Sequence, residues 1–160
     1  MLNEKFDLIL EKEIPIQVEW VWKAWTDPKI ILEWFTPSPW KTIECNIDLY
    51  PGGIFQTVML SPEGIHYSNS GCYLEIIENK KLVWTDALLP GFRPAPTRPS
   101  DSMSFITACI ELNPTEKGCI YKATVQHPDE LGRQKHFEMG FHQGWSVALE
   151  QLISVSRKRF

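Results

Sequence analysis

The stretch Phe137-Glu138-Met139-Gly140-Phe141-His142-Gln143-Gly144-Trp145-Ser146-Val147-Ala148-Leu149-Glu150-Gln151-Leu152 decides the fold. Its Phe137, Phe141, Trp145, Ala148, Leu149 and Leu152 recur at helical spacing and make one apolar stripe. The pattern runs from about Asp129 to Arg157, is the longest helical one in the chain, and is long enough to span a sheet. The sheet is legible just upstream, where Met103 to Leu112 and Gly118 to His127 are β-rich and joined by Asn113-Pro114-Thr115-Glu116-Lys117. Four further runs precede them: Lys41 to Leu49, Ile54 to Leu60, Ile65 to Ile77 and Lys81 to Leu88. Short turns at Pro51-Gly52-Gly53, Pro62-Glu63-Gly64 and Glu78-Asn79-Lys80 separate those four and predict an antiparallel meander. A first strand near Phe6 to Glu13 brings the total to about seven.

Between that first strand and the meander lie two short helical patterns. Pro15 opens one with Val18, Val21, Trp22 and Trp25 on a single face, and Asp27-Pro28 starts another through Ile30, Ile31, Trp34 and Phe35. Pro37 and Pro39 end it. Gly71 inside a long strand predicts a bulge or bend that curls the sheet. The sum is an α+β helix-grip fold, in which a curved antiparallel sheet holds two small helices and a long C-terminal helix against its concave face.

With 160 residues and neither repeat nor linker, the expectation is one domain over 1–160 with a proper core. Charged residues at 22% and apolar ones at 43% are ordinary globular usage, which argues against a disordered chain. Leu8-Ile9-Leu10 is too short and too closely flanked by charge for a signal-peptide core or membrane span, so a cytoplasmic location is expected. A net charge of −4 does not favour a nucleic-acid backbone or an anionic membrane, and Arg157-Lys158-Arg159 read as cations at a helix C-terminus. Cys45, Cys72, Cys109 and Cys119 lack zinc or redox spacing and read as reduced, buried, small hydrophobes. Seven tryptophans exceed what filling a core of this size requires, which points to a lined cavity or to a Trp-rich solid core.

Four motifs carry a family resemblance. They are Val21-Trp22-Lys23-Ala24-Trp25-Thr26-Asp27-Pro28, Pro51-Gly52-Gly53 with Phe55, Leu82-Val83-Trp84-Thr85-Asp86-Ala87-Leu88, and Met139-Gly140-Phe141-His142-Gln143-Gly144-Trp145. Their order and spacing resemble the activator of heat-shock-protein-90 ATPase homologue-like branch of the START/Bet v 1 (SRPBCC) superfamily, over nearly the whole chain. The resemblance implies a helix-grip fold around a hydrophobic pocket, in a superfamily that binds lipids, sterols, polyketides and other apolar molecules. Its members range from passive carriers to polyketide cyclases, so the resemblance does not imply one chemistry.

The pocket is expected to be lined by Trp22, Trp25, Phe55, Trp84, Phe141 and Trp145, with Glu138, His142 or Arg93 orienting a polar group. On an unbroken helix Glu138 and His142 fall within about 60° of Trp145 and one turn apart, an arrangement suited to a proton-transfer pair, and His136 falls on the opposite, solvated face. Gly140 and Gly144 weaken that helix, so either the sheet approaches closely there or ligand takes the space. The proline-rich stretch Leu89 to Ser100 is too long for a hairpin turn and reads either as a lid with Phe92 and Arg93 over the pocket or as an inert excursion. Asp48, Tyr67, Asp86 and His127 lie on strands with undetermined faces. The histidines lack metal-ligand spacing, so no metal and no cofactor are expected. No nucleophile beside a base, no glycine-rich phosphate loop and no paired catalytic carboxylates appear, and an enzyme is not the first expectation.

Three functions follow. The first is a module binding a small hydrophobic or aromatic molecule. The second is an enzyme of cyclase or dehydratase type using Glu138 and His142. The third is a co-chaperone-like interaction module working through its surface. A homodimer is compatible with the size, although no interface is legible.

Overall fold

In the computed structural model the described residues are 2–99 and 102–160, so Ser100, the last residue of the expected lid, lies outside them. Seven strands form one antiparallel sheet: β1 (Asp7–Ile14), β2 (Lys41–Ile47), β3 (Ile54–Leu60), β4 (His66–Ile77), β5 (Lys81–Thr85), β8 (Thr107–Pro114) and β9 (Cys119–Gln126). A small separate ribbon, β6 (Leu88–Leu89) with β7 (Arg93–Pro94), interrupts the numbering. The strand order β1-β9-β8-β5-β4-β3-β2 puts β1 and β2 on opposite edges. The chain between them must therefore cross the sheet, and it does so as α1 (Val18–Thr26) and α2 (Pro28–Trp34).

Period-two patterning decides which face is covered. In β8 and β9, Ala108, Ile110, Leu112, Cys119, Tyr121, Ala123 and Val125 are buried while the residues between them are less so. Two register shifts, between Thr42 and Glu44 and between Tyr73 and Glu75, mark the irregular points of the meander, where bulged strands bend. Gly71 is not one of them. It pairs in regular register with Phe55, and a Cβ there would come within 2.6 Å of the Thr85 carbonyl oxygen, so its glycine serves close approach of backbone.

Asp27 caps α2 as its sequence suggests, its side chain accepting from the Lys29 N–H at 2.9 Å, with Pro28 at the first turn. The Trp34 indole N–H donates to the Ala24 carbonyl at 2.9 Å and locks α2 onto α1. The expected single helix from Asp129 to Arg157 is instead two, α3 (Glu130–Glu138) and α4 (Phe141–Arg159). The cause is Gly140, whose φ of +92° lies in the left-handed region and breaks the helical path. Helical phase is lost across the break, which is why Phe137 is 46% exposed while Phe141 is buried.

The proline-rich stretch also departs from expectation, because part of it is a hairpin. Residues Pro90–Phe92 turn tightly between β6 and β7, the Gly91 N–H donates to the Gly52 carbonyl at 2.7 Å, and the Phe92 ring covers Gly52. One apolar core joins the inner face of the sheet to α1, α2 and α4. The four cysteines are free, and burial pushes the Cys45 thiol up to about 12 and those of Cys109 and Cys119 up to about 11. Arg159 at the end of α4 pairs with Glu33 of α2 at 2.6 Å and holds that carboxyl below its usual range. Among the described residues, no helix is long and apolar enough to cross a membrane.

Candidate functional site

The helices do not close solidly on the sheet. A cavity of about 540 Å³ lies between them, walled by β3, β4, β5 and β9 on one side and by α1, α2, α3 and α4 on the other. This exceeds the roughly 150 Å³ that admits benzene in an engineered apolar cavity. Trp25, Trp34, Trp40, Trp84 and Trp145, five of the seven tryptophans, line it. Neighbouring rings pack on one another along the walls: Trp25 on Trp34 at 4.8 Å edge-on, Trp25 on Trp84 at 5.0 Å, Phe55 on Trp84 at 5.3 Å, Phe141 on Trp145 at 5.2 Å. The aromatic surplus of the sequence thus goes into the lining of a hollow.

The corner after α2 is held by a residue of α4. Gln151 donates to the carbonyls of Trp34 at 2.8 Å and Thr36 at 2.7 Å, and accepts from the Ser38 N–H at 2.8 Å. Thr36, a lining residue, has a φ of +80°, which a β-branched residue rarely adopts, and the Gln151 amide braces it.

Polar groups enter the lining at few points. Asp86, just past β5, pairs with Arg98 at 2.8 Å through one carboxylate oxygen and accepts the Ile106 N–H at 2.8 Å through the other. Arg98 also donates to the carbonyls of Met103 and Ser104 and lies over the Phe105 ring at 4.4 Å. His136 of α3 lines the cavity, its Nδ1 2.9 Å from Nε2 of His127. His127 is buried at the end of β9, with its Nδ1 2.7 Å from the Phe6 carbonyl oxygen. Burial pushes His136 down to about 4 and holds His127 below its ordinary value as well. Among the described residues the buried Trp25 Nε1 and Ser104 Oγ have no partner in hydrogen-bonding geometry.

Of the residues singled out in the sequence, Trp25, Phe55, Trp84, Phe141 and Trp145 come together around this cavity. Trp22 is buried in the core but does not line it. Glu138 and His142 are exposed: the break at Gly140 takes Glu138 out of the α4 stripe, while His142 lies within α4 about 100° round from the buried Phe141; Glu138 accepts from Gln134 at 3.0 Å, and His142 Nε2 lies 3.1 Å from the Ile9 carbonyl oxygen. Phe92, 49% exposed, sits over the Pro51-Gly53 turn instead of the cavity, Arg93 is exposed in β7 and does not line it, and among the described residues of that stretch Arg98 reaches it. His136 corrects the sequence reading in the opposite sense, being half-buried and part of the wall. Gly140 and Gly144 both border the hollow, and no sheet backbone presses on either.

His127, His136, Asp86, Arg98 and Gln151 were beyond the reach of periodicity, since each acquires its role from a partner distant in the chain or across a helix break. The two histidines meet without a third ligand: among the described residues no group of three or more His, Cys, Asp or Glu side chains gathers as a metal site.

Comparison with known proteins places this geometry in a family. The family described as Activator of Hsp90 ATPase homolog 1-like protein matches residues 15–156. A crystal structure of a protein from Nitrosomonas europaea is 41% identical over 98% of this chain and 97% of its own, with a TM-score of 0.93. A solution structure from Arthrobacter aurescens is 24% identical over 97% and 88%, with a TM-score of 0.81. An AHSA1-like protein from Aeromonas hydrophila is 18% identical over 95% and 92%, with a TM-score of 0.69, and these last two likenesses speak to the fold alone. No curated protein matches the chain.

Proposed function

This chain belongs to the family of Activator of Hsp90 ATPase homolog 1-like proteins, and on that premise we propose that it binds a small hydrophobic or aromatic molecule between its sheet and α4. The observation that carries the reading is the hollow of about 540 Å³ with five tryptophans in its wall. That volume falls within the roughly 300–1,000 Å³ of small-molecule sites, and its lining has their composition, mostly apolar with a few polar groups. Burying about 150 Å² of aromatic surface contributes on the order of 4 kcal/mol before the cost of ordering is subtracted. Affinity therefore depends on shape and on one or two polar contacts.

The cyclase or dehydratase reading rested on Glu138 and His142, and their exposure leaves it without a proton-transfer pair in the cavity. The binding reading is tested by native mass spectrometry for a co-purified small molecule, and by titrating 1-methoxynaphthalene while following tryptophan fluorescence. Saturable quenching is expected in the wild type. The variant Gly144→Leu fills the hollow from α4 and should abolish the quenching while remaining folded. No co-purified molecule together with no saturable quenching would remove the proposal.

A further inference from the structure

We propose that His136 Nε2 is the polar anchor of the cavity and accepts a hydrogen bond from a hydroxyl carried on an otherwise apolar ring, so that the preferred ligands are phenol-like rather than carboxylic acids or plain hydrocarbons. The inference rests on the binding reading above and specifies which molecules the hollow prefers.

The argument is one of proton counting along a chain of three groups. A backbone carbonyl can only accept, so the 2.7 Å contact between the Phe6 oxygen and His127 Nδ1 requires the hydrogen on that nitrogen. His127 is a buried imidazole kept neutral by its surroundings, and a neutral ring with Nδ1 protonated has a bare Nε2. The single hydrogen in the 2.9 Å contact between His127 Nε2 and His136 Nδ1 therefore belongs to His136. His136, neutral for the same reason, is left with a lone pair on Nε2. Among the described residues that atom has no hydrogen-bond partner, and the residue that carries it lines the cavity with its ring edge-on to Phe141 at 5.1 Å. His127 acts through His136 and is a positioning residue, fixing the tautomer that a ligand meets.

The rest of the lining fits a neutral guest. Its one carboxylate and its one guanidinium among the described residues, Asp86 and Arg98, are spent on each other and on backbone groups. A ligand carboxylate would find no uncommitted cation and would face the His136 lone pair. A hydrocarbon would leave that acceptor dry and unpaired, at a cost that a hydroxyl removes.

The test compares three probes of one shape at neutral pH, 1-naphthol, 1-methoxynaphthalene and 1-naphthoate, by calorimetry on the full chain. Naphthol is expected to bind about tenfold more tightly than methoxynaphthalene, equivalent to about 1.4 kcal/mol, and naphthoate more weakly than either. In His136→Leu the ratio of naphthol to methoxynaphthalene affinity should shrink to less than about twofold, whatever the change in wall shape does to the two affinities together, because only the naphthol contact uses the acceptor. Nitrogen NMR of the wild type gives a second readout that needs no variant: both His127 and His136 should be in the Nδ1-protonated form, and naphthol alone should shift the His136 Nε2 resonance. Equal affinity for naphthol and methoxynaphthalene, or an Nε2-protonated His136, would overturn the anchor and leave the binding reading standing. Failure of all three probes to bind would overturn the binding reading and the anchor with it.

Discussion

A side chain at Gly140 would meet open space, yet the residue's φ of +92° excludes one, whereas at Gly144 the backbone is helical and a Cβ would touch only Pro37 Cγ at 3.8 Å. The same residue type thus answers two demands four positions apart. Gly140→Ala should destabilise the protein by about 1–2 kcal/mol, the penalty of forcing an L-residue into the left-handed region. Gly144→Ala should stabilise it by up to about 1 kcal/mol through helix propensity. Urea unfolding of the two variants checks both signs, and a loss of stability in both would mean that Gly144 too is held by packing. Sequence alone placed both glycines in one continuous helix, and that assumption misdirected Glu138; His142, inside α4, was misplaced because the apolar stripe is narrower than its spacing from Trp145 implied. Replacing both by Gln should leave 1-methoxynaphthalene affinity within about twofold, since neither borders the cavity. The five cavity-lining aromatic residues anticipated in the sequence were legible because each lies within a single regular element whose buried face follows from its own period.

At the scale of elements, legibility followed regularity. Both β3 and the capped start of α2 were readable because alternation, and an Asp-Pro pair, are local signals. The helix break, the β6–β7 ribbon and the braced corner after α2 are set by contacts between segments far apart, which no window of sequence contains. Gln151 is the clearest case, a polar residue in α4 that closes three hydrogen bonds on residues 34–38. Gln151→Leu strips those bonds and should cost about 2–3 kcal/mol, given roughly 1 kcal/mol for each net bond and more where a group is left unpaired. It should also weaken 1-methoxynaphthalene binding, because the corner it braces carries Thr36 and Pro37 of the cavity wall. Thermal unfolding and the fluorescence titration report the two effects separately, and a variant as stable as the wild type would show that the corner holds itself.

At the scale of the whole molecule, the pair of buried His127 and half-buried His136 couples stability to pH. In the unfolded chain His127 and His136 take up protons near pH 6.5, whereas in the fold burial holds both below that value, His136 at about 4. Between pH 6.5 and about 4 the unfolded state therefore binds more protons than the native one, and stability must fall as pH falls through that window. Below it His136 is protonated in both states and contributes no further loss. The groups acting on His127 partly oppose each other, with burial and Arg133 disfavouring its protonated form and Phe6, Asp7 and Asp129 favouring it, so the larger share of the slope belongs to His136. His136→Leu removes that share while keeping the carboxylates that titrate lower, and its melting temperature should fall less steeply than that of the wild type between pH 6.5 and about 4. Calorimetric scans of both proteins across the window decide the matter: parallel curves would mean that His136 takes its proton as readily in the fold as outside it, and that the pair is not held neutral.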